Sequence, residues 1–147
     1  MRHPEGGFMS CSLCDKVARL QSDLRFRLLH EFETSYWILG DHQVFQGYSL
    51  LVSKHHVREM HELDPELQVT LFKELMTAGS RIAEKLKPWK MNYASYGNQV
   101  PHLHWHLIPR YESDPRHKDQ PWVHEAQFSQ VLTSPENSAA VRTRLSF

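Results

Sequence analysis

The sequence predicts an α+β domain, a mainly antiparallel sheet of five short strands with one long helix packed on it. Three observations carry that prediction. Strand-like runs come first, a single long amphipathic helix follows, and strand-like runs return after it, an order that differs from the strict alternation of parallel βαβ winding. The strand candidates are short and rich in aromatic and aliphatic residues, bounded by turn residues. The chain has 147 residues, 40% of them hydrophobic, with 4 Trp, 5 Tyr and 7 Phe, which suits one core and a single domain spanning 1–147.

Arg25 to Phe32 and Tyr36 to Leu39 read as two strands joined by a turn at Glu33 to Ser35, and Asp41 to Gly47 as a loop. Tyr48 to Ser53 (YSLLVS) is a β-rich run too short for a typical helix, so it reads as a largely buried third strand. Asp64-Pro65-Glu66 is a helix start, with a side-chain acceptor at the N-cap, a proline where no amide is needed and an acid at the positive end of the dipole. Leu67, Leu71, Leu75, Ala78, Ile82 and Leu86 then recur at three and four residues and form one stripe, which Pro88 ends. Lys90 to Ser95 and His102 to Pro109 (HLHWHLIP) read as the last two strands, around a turn at Gly97-Asn98. Ser134-Pro135-Glu136 opens a short final helix toward Leu145.

Composition excludes several function classes. Seventeen Lys+Arg balance seventeen Asp+Glu, so there is no cationic excess of the kind that binds a nucleic-acid backbone, although a single nucleotide remains a possible ligand. No apolar run approaches the length needed to span a bilayer, and the first ten residues lack a signal-peptide core. Cys11 and Cys14 are too close together to staple a fold and have no other cysteine to pair with, which points to a reducing, cytoplasmic setting.

The unusual feature is 11 histidines. His102, His104 and His106 alternate along a predicted strand and so project from one face, with Leu103, Trp105 and Leu107 turned into the core. Three imidazoles in a row bring no packing advantage, since each needs hydrogen-bond partners or water. Such a row is either an exposed strand that is merely rich in histidine or a metal site, because His-x-His on a strand is a plausible pair of zinc ligands. Cys11-Ser12-Leu13-Cys14 alone is compatible with a redox pair, half a zinc site or two plain thiols.

His102 to Ile108, in the order His, apolar, His, apolar, His, apolar, apolar, resembles the signature of the histidine triad family. Gly47 to His56 (GYSLLVSKHH) is similar to the family's turn glycine, strand and Lys-x-His segment, and Cys11-x-x-Cys14 matches its zinc-binding subset. The resemblance covers about Cys11 to Tyr111, leaving 112–147 as a C-terminal extension. It implies a homodimer that transfers or hydrolyses nucleoside monophosphate groups through a phosphohistidine intermediate. By position His104 is the implied nucleophile and His106 the group that contacts phosphate oxygens and gives the leaving group a proton. The presence of His106 favours hydrolysis, since related transferases replace it.

The family places a polar pair just before the triad to bind phosphate oxygens and leaving group. Here these are Asn98 and Gln99, in Gly97-Asn98-Gln99 where Gly-Gln-Ser or Gly-Gln-Thr is common. Gly97-Asn98 is equally readable as a plain hairpin turn. Asp41 is the candidate for the ribose hydroxyls, with a simple turn aspartate as the rival reading. The zinc-binding subset supplies His56 and His102 as partners of Cys11 and Cys14, a closed Cys2His2 structural zinc site. The substrates implied are dinucleoside polyphosphates, nucleoside phosphoramidates or related conjugates. The competing functions are a nucleotide-binding scaffold with little turnover and a hydrolase with zinc on the triad itself.

Overall fold

The computed structural model describes residues 10–114, 116–121 and 134–147. His3 and His124, readable from the sequence as surface or locally hydrogen-bonded histidines, lie outside them. The sheet contains β1 (Leu28–Glu31), β2 (Ser35–Leu39), β3 (Ser49–Ser53), β4 (Lys90–Ala94) and β5 (His104–Arg110). They pair antiparallel throughout, in the order β1-β2-β3-β5-β4. Helix α2 (Pro65–Leu86) enters between β3 and β4 and returns the chain to the far edge. The expected α+β sheet with a long helix is therefore the observed fold.

Strand alternation gives the sheet two apolar faces. One carries Trp37, Leu39, Leu51 and Leu107 against the Leu71, Leu75, Ala78 and Ile82 stripe of α2. Helix α3 (Pro135–Leu145) adds Val141 and Leu145 to the same core, so the C-terminal segment packs with the domain it follows. The other face carries Ile38, Leu50, Val52 and Ile108 and is covered by Leu13 and Leu20 from the N-terminal region. Glu74 is a buried carboxylate of α2 that ties the helix to the β1–β2 turn. It accepts from the Thr34 amide at 2.9 Å, the Thr34 hydroxyl at 2.7 Å and the Ser35 hydroxyl at 2.5 Å.

Three local expectations are corrected, and one helix is new. Arg25–Arg27 forms a one-turn 3₁₀ helix, so the first strand begins at Leu28. That turn brings the buried Arg27 guanidinium within 2.9 Å of the Gly40 carbonyl and 3.0 Å of Asp41. Helix α1 (Ser12–Ala18) was not anticipated; its N-cap is Cys11, whose Sγ accepts from the Cys14 amide at 3.4 Å. Asp64 occupies the N-cap of α2 but makes no side-chain cap bond, whereas Ser134 does cap α3. The last strand begins at His104, not His102. His102 N donates to the Val100 carbonyl and Leu103 N to the Val57 carbonyl, each at 2.8 Å, which holds 102–103 outside the β3–β5 ladder.

Candidate active site and metal cluster

Because His102 precedes the strand, the three histidines do not form one row. His104 and His106 stay together on β5, ring centroids 5.0 Å apart. They face a cleft of about 600 Å³ also lined by Lys16 of α1, Asp41, Tyr48 and the 96–100 segment. Gly97 takes φ +69° there, the turn expected of it, and Asn98 and Gln99 both line the cleft. Asp41 sits at the rim with its side chain 53% exposed. Partial burial alone would raise its carboxyl, but Lys16 at 2.7 Å and Arg27 at 3.0 Å outweigh that and hold it below the usual carboxylate range. Asp41 thus stays ionised beside the histidines.

The backbone sets the state of His104. Its Nδ1 lies 2.6 Å from the carbonyl oxygen of His102. A carbonyl can only accept, so Nδ1 carries a hydrogen, and in the neutral form of the ring the lone pair is on Nε2. His106 is kept neutral by its surroundings: burial first, then the neighbouring His104, push it down to about 4. Its Nδ1 lies 2.8 Å from the Tyr48 hydroxyl.

His102 turns the other way. Its Nε2 donates to the Ser53 carbonyl at 2.8 Å, which leaves Nδ1 as the lone pair facing Cys11 and Cys14, 3.4 Å from each sulfur. His56 Nδ1 stands 3.1 Å from His102 Nδ1 and 3.2 Å from Cys14 Sγ. All four donor atoms lie within 4.8 Å of one another. Zinc with bonds of about 2.0–2.3 Å holds its tetrahedral ligands roughly 3.3–3.8 Å apart, close to the 3.1–3.4 Å of these four contacts. The donor chemistry fits as well. Two sulfurs and two imidazole nitrogens are a donor set that zinc takes, and a bound cation would favour the thiolate form of Cys14, which burial and the adjacent Cys11 otherwise disfavour. Of the adjacent pair His55 and His56, it is His56 that reaches the cluster.

The structure therefore brings His104, His106, Asp41, Asn98 and Gln99 to one cleft and gathers Cys11, Cys14, His56 and His102 beside it. Sequence reasoning missed Tyr48 and Lys16. Tyr48 shares the alternation of Leu50 and Val52, whose β5 partners are His106 and His104, so period-two counting combined with the strand pairing would have found it. Lys16 needed α1, which local pattern did not reveal.

A fold of this kind with a histidine-bearing β5 defines a histidine triad protein. Residues 22–113 match the model of the HIT domain, so the chain belongs to the HIT family. A Bacillus subtilis relative called protein hit is 27% identical over 107 residues, covering 69% of this chain and 72% of its own. The crystal structure of a histidine triad protein from Marinobacter aquaeolei is 29% identical with a TM-score of 0.68, over 80% of this chain and 84% of that one. A Sinorhizobium meliloti HIT protein shares the fold over 95% of this chain and 97% of its own, at 22% identity and TM-score 0.72. Among the described residues no helix is long and apolar enough to cross a membrane.

Proposed function

We propose that the protein hydrolyses nucleotide conjugates at the α-phosphate through a nucleotidyl group carried transiently on His104. The observation that supports this most is the His104 Nδ1 contact with the His102 carbonyl, which leaves an Nε2 lone pair in a cleft beside a second imidazole. His104 Nε2 forms the N–P bond and the leaving group departs on the His106 side. Water then attacks phosphorus, the N–P bond breaks with its electrons returning to Nε2, the proton lost by the water passes to solvent and offsets the charge of the departed anion, and nucleoside monophosphate is released. Asn98 and Gln99 take phosphate oxygens, and Asp41, held ionised, takes the ribose hydroxyls. The substrates are dinucleoside polyphosphates, nucleoside phosphoramidates or related conjugates.

Cys11, Cys14, His56 and His102 would hold a structural zinc whose contribution is to fix His102, and with it the carbonyl that orients His104. The Nδ1 of His102 faces the thiols and not the cleft, which favours this arrangement over zinc on the triad itself. The working unit is a homodimer, and the setting is cytoplasmic. A panel of nucleotide conjugates assayed for released nucleoside monophosphate tests the reading. Release supports it, whereas nucleotide binding without release supports the scaffold alternative.

A further inference from the structure

One polar contact in the cleft takes no part in the reaction described above. Tyr48 is 6% exposed, and its ring lies nearly parallel to that of His106, at 7° with centroids 6.0 Å apart. The ring is held from several sides. Gly40 N and Gln43 Nε2 both donate to the Tyr48 carbonyl, at 3.0 and 2.7 Å, and His42 stacks on the ring at 4.9 Å. At Gly40 a Cβ would come within 2.4 Å of Tyr48 Cδ1, so the absence of a side chain there leaves the ring its place.

The direction of the 2.8 Å contact follows from the chemistry of the two groups. A phenol O–H is a stronger donor than an imidazole N–H, and a neutral imidazole nitrogen is a stronger acceptor than a phenol oxygen. Burial, and then the charge of Asp41, raise the Tyr48 phenol above its ordinary range, so it keeps its hydrogen. His106, held neutral, has one N–H and one lone pair.

We propose that Tyr48 is a positioning residue: its hydroxyl donates to His106 Nδ1 and thereby fixes His106 as the Nε2–H tautomer. The inference rests on the nucleotidyl-transfer reading for its consequence. The His102 carbonyl and the Tyr48 hydroxyl then give two neighbouring imidazoles opposite tautomers, one with a lone pair on Nε2 and the other with a hydrogen there. As the His104 Nε2–P bond forms and the bond from phosphorus to the leaving oxygen breaks, the electron pair stays on that oxygen. The His106 Nε2–H stabilises the departing anion by a hydrogen bond and keeps its hydrogen, so no proton passes through Tyr48. The opposite tautomer would present a lone pair to the same anion and repel it.

Long-range ¹⁵N–¹H correlation spectra of the wild-type protein, with His106 assigned by loss of its signals in His106→Gln, test the tautomer without any substrate. An Nε2–H pattern is expected, and an Nδ1–H pattern overturns the proposal. In Tyr48→Phe, which keeps the ring in its slot, His106 should become a mixture of tautomers. Its kcat should fall about 10- to 100-fold with KM within about threefold, a part of what losing one donor to a developing anion costs. An unchanged tautomer with unchanged kcat overturns it. Failure of the wild type to turn over any nucleotide conjugate counts against the hydrolase reading, while the spectra still decide the role of Tyr48.

Discussion

At the scale of single residues, the chemistry turns on how two histidines with the same side chain come to behave differently. His104 is 8% exposed and bound to a backbone carbonyl, a partner that no side-chain substitution nearby removes. Replacing His104 by Ala should therefore stop multiple turnover, lowering kcat by at least about 10³-fold, while nucleotide affinity stays within about threefold, since the cleft walls come from other residues. Rapid quenching of the wild type followed by mass spectrometry should find an acid-labile nucleotidyl adduct on His104. An adduct on another histidine, or full activity in His104→Ala, would sink the mechanism. His106 makes a second, thermodynamic prediction. Its pKa is about 4 in the folded protein against an ordinary 6.5, so the unfolded chain binds more protons between those values. Stability from this group is complete above pH about 6.5, declines as pH falls and levels off below about 4, a change of about 3 kcal/mol. Urea unfolding across pH 4–7 should show a shallower decline in His106→Gln than in the wild type. Equal slopes would mean that His106 is not held neutral.

At the scale of elements, the N-terminal segment and the approach to β5 form one device, because Cys11 caps α1 while its sulfur also faces His102. A zinc ion there would fasten α1, with Leu13 and Lys16 at the cleft, to the residue that orients the nucleophile. Protein purified without a metal-binding tag should carry about one zinc per chain, and Cys14→Ser should carry none. Loss of the ion should cost about 2 kcal/mol or more, lowering the thermal midpoint by about 4–8 °C or more. Wild-type protein with no zinc and no gain in midpoint on adding it would refute the site. These same elements show what local sequence can reveal. The long helix was legible because Asp64-Pro65 and the Leu67 to Leu86 stripe repeat one signal over six turns. Cys11-x-x-Cys14 and Lys54-x-His56 could be read as a donor set only beside a known family pattern. Helix α1 was hidden because cysteine is an unusual N-cap and the segment is a mere seven residues. His102 was misplaced onto β5 because alternation continues through it in sequence, whereas its backbone is claimed by Val100 and Leu103 by Ser53 and Val57. Tyr48 escaped notice because its partner lies 58 residues away and depends on strand register.

At the scale of the whole molecule, the sheet ends on one side at β4, which pairs with β5 alone and presents its other edge unpaired among the described strands. Free amides and carbonyls along such an edge invite another strand. The neighbouring surface is apolar as well. Helix α2 turns Val69 and Phe72 outward, 55% and 51% exposed, and Tyr93 of β4 is 40% exposed. These belong to one patch: Val69, Phe72, Met76 and Gly79 follow helical spacing, and the Tyr93 hydroxyl lies against Gly79, where an added Cβ would come within 2.3 Å of it. An exposed edge beside an exposed apolar stripe would be self-complementary across a twofold axis, with β4 meeting its copy antiparallel and the α2 stripes closing over the junction. Every strand of the sheet is already antiparallel to its neighbours, so such pairing continues the sheet without changing its pattern. A homodimer follows as the expected state. Light scattering at micromolar concentration should give about 35 kDa, twice the 17.3 kDa of one chain. Phe72→Glu places a charge in the middle of the joined stripes, where burying it without a partner costs several kcal/mol, and should shift the population to monomer while leaving the far-ultraviolet spectrum intact. A wild-type protein that remains a 17.3 kDa species across the micromolar range would refute the dimer. A Phe72→Glu variant that stays fully dimeric would instead place the interface elsewhere on the molecule.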